Sequence, residues 1–496
     1  MSIDENLNTS PEIDLEVVKK RAVKGVVVLT GRTFFLSILS FLATGLLTVF
    51  LDPSQFGIFW MVSAVVNFLA YFSDIGLAAA LIQKKEKVRE EDLSTTFLVQ
   101  ELLVFVILIV LFFATPIFVK IYNLDFEGKL LLYSLGISLF LSSLKTIPSV
   151  LLERELEFGK LVLPQILENL TYNILAVFLA WSGFGLRSFT YSVLARGLVG
   201  LVAMYLLRPW KPKILFARSS FSHLIKFGLP YQVNTLLATV KDDGLTAVLG
   251  GILGGAGLGF LGWAQKWGQA PLRFFMDQVI KVTFPAFSRM QYEKDQLRSS
   301  LERSLFFISL LVFPSLFGLL ALAPLLVEII PKYIKWQPAL IPLYLIGGNT
   351  VFAAISTQLT NLLNATGRIK TTFKLMVMWT TLSWLIIPLL AYKFGVNGAA
   401  FGYFLLGVSS VVVIIIVRGF LPFSFSRSFL KPLISSLVMF FLVVFLRINL
   451  PLNVKSLILL ILVGAFSYLV LIYLLVGEVF KEDVKKSFKV FFGRGK

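Results

Sequence analysis

Residues 102–119 read Leu-Leu-Val-Phe-Val-Ile-Leu-Ile-Val-Leu-Phe-Phe-Ala-Thr-Pro-Ile-Phe-Val and carry no charge over eighteen positions. An apolar run of about 18 residues or more is long enough to cross the hydrocarbon core of a bilayer as a helix. Similar runs follow one another along the chain, which is 57% hydrophobic and 15% charged with a mean hydropathy of +0.84. A soluble domain has nearer a quarter of its residues charged. The sequence therefore predicts an all-α integral membrane protein.

The apolar runs predict fourteen transmembrane helices: two six-helix lobes and two further C-terminal helices. They lie at about 25–50, 57–82, 93–119, 129–151, 161–182, 186–207, 222–249, 256–284, 302–323, 338–364, 371–392, 397–417, 431–448 and 455–477. Lys and Arg are concentrated in alternate loops, with about thirty on one side and about eight on the other. Basic loops stay on the cytoplasmic side of a membrane. This bias predicts a multi-pass protein of the inner (plasma) membrane with both termini in the cytoplasm.

Charge and proline content predict the domain organisation. The segments are a cytoplasmic N-terminal arm (1–24), an N-lobe of helices 1–6 (25–207), a cytoplasmic interfacial linker (208–221), a C-lobe of helices 7–12 (222–417), accessory helices 13–14 (418–477) and a basic cytoplasmic tail (478–496). Weak internal similarity relates the lobes, because Gly57 and Gly259 open helices 2 and 8 and are followed at nearly the same spacing by Asp74 and Asp277. Each lobe has six helices, an even number, so both lobes would have the same orientation in the membrane. This predicts a pseudo-two-fold axis along the membrane normal, with the substrate site between the lobes.

Eight basic and five acidic residues lie inside the predicted spans. A charge that faces lipid near the centre of a helix costs about 2.5–3.5 kcal/mol on insertion scales, so most of these side chains must face protein or a water-filled cavity. A cavity with surplus positive charge attracts anions such as a pyrophosphate or an acidic sugar, and arginine can bind phosphate oxygens bidentately. The predicted substrate-binding residues are Arg32, Arg196, Lys241, Lys266 and Arg273, together with Asn67.

Helical periodicity groups several of these residues. At about 100° per residue, the eighth predicted helix is ionic on one side along four turns. The members of this stripe are Lys266, Arg273, Asp277 and Lys281. A smaller polar stripe on the second helix holds Ser63, Asn67 and Asp74. The two stripes occupy matching positions in the two lobes.

Pairing inside the protein is the alternative role for part of this charge. Three acids either pair with cations and lock helices together or take part in the cavity: Glu168, Asp242 and Asp243. Three lysines lie near span ends, where a long side chain extends its head group to the interface: Lys145, Lys226 and Lys281.

The composition argues against several other chemistries. The chain has no cysteine and a single histidine, His223, which excludes thiolate and multi-histidine metal sites, and we expect neither a metal nor a cofactor. The net charge of +18 is explained by the loop bias and by anionic lipid, so we expect no nucleic acid partner. The glycine-rich run from Gly250 to Gly259 lacks the preceding strand and following lysine of a phosphate loop. It predicts a tight turn with close helix packing.

Four stretches resemble those of a known family. Leu51-Asp-Pro-Ser-Gln-Phe-Gly57, Phe72-Ser-Asp-Ile-Gly-Leu77 and Ala80-Leu-Ile-Gln-Lys84 are similar to signatures of polysaccharide-export flippases. Asn361-Leu-Leu-Asn-Ala-Thr-Gly-Arg368 resembles the tenth helix and following turn of the same proteins. The chain thus resembles the Wzx-type oligosaccharide flippase branch of the multidrug/oligosaccharidyl-lipid/polysaccharide (MOP) exporter superfamily.

The resemblance implies a transporter rather than an enzyme, with a central cavity open alternately to each face of the bilayer. It implies a lipid-pyrophosphate-linked oligosaccharide as substrate, such as an O-antigen, capsule or exopolysaccharide repeat unit. A polysaccharide polymerase and glycosyltransferases are the partners it suggests. Coupling to protons or sodium occurs in the superfamily, and Asp74, Asp242, Asp243 and Asp277 are the candidate coupling or ion-pairing acids.

Three alternatives stay open on the sequence. An exporter of the MATE type shares the two-lobe design, but its organic-cation substrates favour an acidic cavity, against the basic excess found here. A sugar polymerase or ligase would need a large external loop, whereas the longest predicted outer loop, 324–337, has about 14 residues. A flippase for a cell-wall lipid precursor would have the same fold and the same transport mechanism, so the sequence does not distinguish it from an oligosaccharide flippase.

Overall fold

In the computed structural model the chain is described from residue 15 to residue 492, and its side chains from residue 28 to residue 477 apart from 30, 231, 233–235 and 237. Most of the predicted N-terminal arm (1–24) and the side chains of the predicted basic tail (478–496) lie outside the described residues. Within the described range every regular element is a helix. The predicted all-α membrane architecture is confirmed.

The contacts divide the chain into two compact units, of which the first ends at Gly259 and the second begins at Phe260. Residues 218–259 thus belong with the first unit by their contacts. The predicted lobe boundaries and the pseudo-two-fold axis stay predictions.

Ten helices begin in the described part of the first unit. They are α1 (Leu15–Phe50), α2 (Pro53–Ala70), α3 (Leu77–Gln83), α4 (Glu90–Tyr122), α5 (Phe126–Ser143), α6 (Thr146–Arg154), α7 (Phe158–Trp181), α8 (Arg187–Leu207), α9 (Arg218–Thr239) and α10 (Leu245–Arg289), which continues into the second unit. A 3-10 turn (Tyr71–Ser73) and a π-helical turn (Val240–Gly244) follow α2 and α9.

Up to residue 492, where the description ends, six further helices form the second unit. They are α11 (Lys294–Ile329), α12 (Leu340–Ala365), α13 (Ile369–Ser409), α14 (Val411–Phe420), α15 (Lys431–Ile448) and α16 (Val454–Phe492). A 3-10 segment (Tyr333–Ala339) precedes α12, and a π-helical turn (Ser426–Leu430) precedes α15. The core of this unit is formed by buried side chains of α11, α12 and α14, among them Leu305, Leu359 and Val413.

Eleven of the described helices are long and apolar enough to cross a membrane, or twelve if α5 and α6, which meet at a bend of 41°, form one span. Two of the eleven, Val240–Arg289 and Ile369–Phe420, have 50 and 52 residues. At about 1.5 Å per residue each is more than twice as long as the hydrocarbon core is thick. Gly254 (φ 67°) and Gly395 (φ 61°) interrupt them with non-helical backbone. Counting each as two spans is compatible with the predicted fourteen.

The glycine-rich run from Gly250 to Gly259 forms a turn and a close helix contact within the first unit. Gly254 makes the turn, and the helix after it crosses the start of α2. A Cβ on Gly57 would lie 1.7 Å from the carbonyl oxygen of Gly255, and a Cβ on Gly259 would lie 1.9 Å from that of Pro53. Only glycine permits two backbones to approach so closely. The predicted tight turn with close packing is therefore what these residues form.

A second close approach fixes the end of α2 against α9. Gly76 has a left-handed backbone (φ 82°), and a Cβ there would lie 2.2 Å from the carbonyl oxygen of Gly228. Asp74 caps the following helix, because its side-chain oxygen accepts a hydrogen bond from the backbone nitrogen of Leu77 at 2.9 Å. Leu77, Leu81 and Leu224 are buried together where α3 meets α9. The stretch Phe72–Leu77 thus makes a turn whose shape depends on a glycine and an aspartate.

Candidate ionic site in the first unit

A buried carboxylate lies at the centre of an ionic cluster formed by α1, α7, α8 and the break between α5 and α6. Glu168 on α7 is 6% exposed. One of its oxygens, Oε1, pairs with Nζ of Lys145, and the other, Oε2, lies 3.9 Å from Nε of Arg196 on α8. Gly200 leaves the space for it, since a Cβ there would lie 1.9 Å from Oε1. A buried carboxylate requires such partners, because an isolated charge in an apolar interior is very costly.

Arg32 on α1 extends this cluster by one turn of α7. Its guanidinium donates a hydrogen bond to the side-chain oxygen of Gln165, which lies three residues before Glu168. Nε of Arg32 is buried without a hydrogen-bond partner in the described part of the chain. No carboxylate among the described residues forms a salt bridge with Arg32. Among the described residues its charge is therefore held by a neutral amide and not by an acid.

Tyr172 forms the next turn of the same α7 surface. The guanidinium of Arg196 lies 5.9 Å from the centre of the Tyr172 ring, within the range of a cation–π contact. We name the whole group the Glu168 cluster; its members are Arg32, Lys145, Gln165, Glu168, Tyr172 and Arg196. It holds three cations and one carboxylate, so its formal charge is positive. Arg196 is about half exposed (46% of its side chain), which leaves it accessible to a ligand.

The Glu168 cluster differs from the sequence-based expectation at one residue. Lys145 was expected to extend its head group to the membrane interface, and this is wrong: its side chain is 17% exposed and paired with Glu168. The reason is the bend between α5 and α6, which turns Lys145 towards α7. For Glu168 the pairing alternative is the one the structure shows. Gln165 was not predicted, since a neutral amide in a span gives little signal in a sequence.

A second polar group of the first unit surrounds the π-helical turn Val240–Gly244. Nζ of Lys241 lies 3.3 Å from Oδ1 of Asp242, whose side chain is exposed. The side chain of Asn67 on α2 lies against the carboxyl of Asp243. Single π-helical turns inside α-helices are frequent at functional sites. Two predicted residues from different helices, Asn67 and Asp243, are thus brought into contact.

The second unit carries the ionic stripe on α10. The side chains of Lys266, Arg273, Asp277 and Lys281 are all exposed on the described chain. None of them forms a salt bridge with a described residue; Nζ of Lys281 lies 3.5 Å from the side-chain oxygen of Gln278. The stripe holds three cations and one acid, so it has the same surplus of positive charge as the Glu168 cluster.

Some polar residues that the sequence singled out make contacts that hold the fold together, and the coupling role of Asp74 stays a prediction. Asp74 is occupied by capping α3. Asn361 of the fourth recognised stretch donates to Oγ1 of the buried Thr283 at 2.9 Å, and Arg368 lies over the ring of Phe420 at 3.8 Å. No group of three or more metal-ligating side chains occurs among the described residues.

These observations first indicate a functional class of protein. A chain of many apolar helices that keeps a positively charged cluster within its spans has the features of a membrane transport protein. A model of the family described as polysaccharide biosynthesis protein matches residues 46–341, more than half of the sequence. The chain belongs to this polysaccharide biosynthesis protein family.

Two relatives have names that also refer to polysaccharide biosynthesis. The succinoglycan biosynthesis transport protein ExoT of Rhizobium meliloti (strain 1021) is 26% identical over 316 residues, which cover 63% of this chain and 62% of ExoT. The lipopolysaccharide biosynthesis protein WzxC of Escherichia coli (strain K12) is 22% identical over 366 residues, which cover 73% of this chain and 74% of WzxC. The match with ExoT thus spans less than two thirds of that protein.

Two solved structures share the fold. The lipid II flippase MurJ in an inward closed conformation has a TM-score of 0.74 at 18% identity, over 92% of this chain and 99% of that one. An inward-facing multidrug resistance MATE family transporter of the MOP superfamily has a TM-score of 0.57 at 16% identity, over 80% and 97%. The predicted resemblance to polysaccharide-export proteins is confirmed by the family match, and these two structures show that the fold is shared with a flippase and with a transporter of the MOP superfamily. The names of these proteins agree with a transporter rather than an enzyme.

Proposed function

We propose that this protein moves a lipid-pyrophosphate-linked oligosaccharide from the cytoplasmic to the outer leaflet of the inner membrane. The Glu168 cluster carries the proposal. Its three cations and one carboxylate leave a surplus of positive charge that an anionic head group would neutralise. The relatives ExoT and WzxC, named for succinoglycan and lipopolysaccharide biosynthesis, support a sugar-bearing substrate.

Arg32 is the side chain we assign to the phosphate. It has no acidic partner in the described part of the chain, and its guanidinium already donates to a neutral oxygen of Gln165. A phosphate oxygen is a stronger acceptor than an amide, since charge-assisted hydrogen bonds are about twice as strong as neutral ones. Arg196 adds a second guanidinium that is half exposed.

The proposed mechanism is alternating access. The head group binds in a cationic central cavity, the hydrocarbon tail stays in the bilayer, and the cavity opens to one face at a time. The exposed stripe of α10, with Lys266 and Arg273, is a further source of positive charge for an anionic head group. We also propose that transport is coupled to protons or sodium through Asp277, Asp242 or Asp243. The proposed partners are a polysaccharide polymerase and glycosyltransferases. Both termini are proposed to lie in the cytoplasm.

The second candidate is transport of a cell-wall lipid precursor. The MurJ fold favours it, because MurJ is a lipid II flippase and matches most of both chains. Both substrates carry phosphate and a lipid tail, so the same cations would serve. A MATE-like exporter of organic cations fits less well with a site that is itself positively charged.

A vesicle assay tests the proposal. The purified chain is reconstituted into phosphatidylcholine vesicles with a fluorescent lipid-pyrophosphate oligosaccharide, and exposure of the sugar on the opposite leaflet is followed with a membrane-impermeant glycosidase. We expect protein-dependent translocation of the oligosaccharide lipid, with and without an imposed proton or sodium gradient as separate arms. Translocation of lipid II alone would favour the second candidate. Transport of an organic cation but of neither lipid would refute both.

A further inference from the structure

An apolar groove runs between α1 and α7 within the first unit. It encloses about 480 Å³, within the usual size range of ligand sites of about 300–1,000 Å³. Its lining is contributed by both helices: Leu39, Leu42, Ala43, Leu46 and Phe50 from α1, and Asn173, Ile174, Val177, Phe178 and Trp181 from α7. The amide nitrogen of Asn173 donates one hydrogen bond to the carbonyl oxygen of Asn169 on its own helix. The groove thus offers a ligand almost only hydrocarbon contact.

The groove is open along one side. Leu42 and Leu46 on α1 are 60% and 50% exposed, and Phe178 and Trp181 on α7 are 55% and 66% exposed. Ala43 lies at its base, 5% exposed, and keeps the floor low between the larger side chains. From Leu39 to Phe50 the groove follows α1 for about 16 Å at 1.5 Å per residue. Its shape is long, narrow and apolar, which suits a hydrocarbon chain.

Arg32 lies on the same face of α1 as the groove. It precedes Leu39 by seven residues, which is two helical turns, and two turns bring a side chain back to nearly the same direction. The backbone position of Arg32 is therefore about 10 Å from that of Leu39, at the near end of the groove, along the helix axis. In the orientation proposed above, the cation lies on the cytoplasmic side of the groove. A lipid of the cytoplasmic leaflet has the same order, with its phosphate outside and its chain towards the bilayer centre.

We infer that the α1–α7 groove binds the hydrocarbon chain of a lipid phosphate whose phosphate group is held by Arg32. The inference rests on the proposed function in taking the substrate to be a lipid phosphate. It adds a separate tail site to the head-group site and makes α1 the element that aligns the two. Any apolar groove in a membrane is filled by bulk lipid, so the distinguishing feature is dependence on the phosphate and on the arginine.

Photolabelling tests this inference directly. The probe is a diazirine-bearing polyprenyl monophosphate in phosphatidylcholine nanodiscs that contain the full chain, and labelled residues are identified by mass spectrometry. We expect labelling of Leu42 and Phe178 above that of Phe466 on α16, which is 69% exposed and lies outside the groove. Arg32→Ala should reduce labelling in the groove about tenfold, the factor for one lost charge-assisted hydrogen bond, whereas Arg32→Lys should retain part of it.

The uncharged polyprenyl alcohol is the matched probe. Its labelling of the groove should be weaker and the same in the wild type and in Arg32→Ala. Labelling of Leu42 and Phe466 to an equal extent, or labelling by the phosphate that ignores Arg32, would mean that the groove holds bulk lipid and would overturn the inference.

Leu42→Trp, which fills the groove from its exposed side, provides a second measurement, with Phe466→Trp as the control. We expect Leu42→Trp to lower labelling by the polyprenyl phosphate while Phe466→Trp does not. If Leu42→Trp translocates the oligosaccharide lipid at the wild-type rate and the groove is not preferentially labelled, the tail site is wrong and the proposed function stands. If the groove is labelled in an Arg32-dependent way but no lipid-linked sugar is translocated, the proposed function is wrong and the lipid-phosphate site stands.

Discussion

Lys145 is paired with Glu168 across the bend between α5 and α6, and the carboxylate also lies 3.9 Å from Arg196. Through Lys145 and Arg196 the carboxylate links three segments that are separate in the sequence. Because the carboxylate is buried, both partners depend on each other for neutralisation, and the surplus charge of the cluster resides on Arg196 and Arg32. The site is therefore a fixed ion pair with two further cations beside it.

Removal of the carboxylate should destabilise the protein. Glu168→Gln keeps the size of the side chain but leaves Lys145 without its counter-charge, which costs about 3–5 kcal/mol when one partner of a buried pair is lost. A lower denaturation temperature in detergent would measure this, and adding Lys145→Met should recover part of the loss. The control is Glu127→Gln, since the Arg187–Glu127 pair at 2.9 Å is largely exposed and is expected to contribute about 1 kcal/mol or less. Equal effects of Glu168→Gln and Glu127→Gln would contradict a buried pair.

Loss of Arg32 should reduce transport without preventing folding. Arg32→Ala removes a hydrogen bond to a neutral amide and no salt bridge within the described chain, so we expect normal amounts in the membrane. Transport in the vesicle assay should fall about tenfold or more, the effect of losing a charge-assisted contact to phosphate, and Arg32→Lys should restore part of it. Arg187→Ala is the matched control on an exposed arginine. Normal export by Arg32→Ala would remove the basis of the phosphate assignment.

Two of the four candidate coupling acids, Asp74 and Asp277, should differ in their response to substitution. Asp74 is occupied by capping α3, and asparagine is an equally good cap, so Asp74→Asn should leave both folding and the ion dependence of transport unchanged. Asp74→Ala should cost about 1 kcal/mol through the lost cap. Asp277 is exposed and forms no salt bridge with a described residue, so Asp277→Asn should alter the response to an imposed proton or sodium gradient. A change in ion dependence in Asp74→Asn alone would reverse this assignment.

The glycine contact between α2 and the helix after Gly254 should tolerate no side chain. Gly259→Ala would place a Cβ 1.9 Å from the carbonyl oxygen of Pro53, where backbone must move. Overpacking of this kind costs about 1–3 kcal/mol and should lower the denaturation temperature. Gly31→Ala on α1 is the control, since no atom lies within 4 Å of its Cβ position, and it should be neutral or slightly stabilising. Unchanged stability of Gly259→Ala would show that the helices are not in contact there.

The sequence predicted which residues would be charged within spans but not their partners. Periodicity gives the direction of a side chain around its own helix, and it groups Lys266, Arg273 and Asp277, each of which is exposed on α10. It could not show that Lys145 meets Glu168, because the bend between α5 and α6 is not encoded in an apolar pattern. The contact of Asn67 with Asp243 was also beyond it, since it joins helices about 175 residues apart in the chain.

The repeat-like glycines illustrate the same limit. Gly57 and Gly259 were aligned as equivalent positions of two lobes, whereas the structure brings Gly57 against Gly255 and Gly259 against Pro53 within one unit. The glycines themselves indicated that a second backbone comes close, but the sequence did not predict which backbone that is.

By itself the sequence determined that this protein lies in a lipid bilayer, where its helical spans are, and that positive charge exceeds negative charge within them. These follow from the local composition, because a membrane accepts only segments that satisfy their own backbone hydrogen bonds and bury few charges. Only the tertiary structure decided which charges are neutralised, that Arg32 is held by an amide rather than an acid, and that a groove continues along the same face of α1. Those properties depend on how helices distant in the chain pack together, and packing is set by side-chain shape across an interface that no single helix contains.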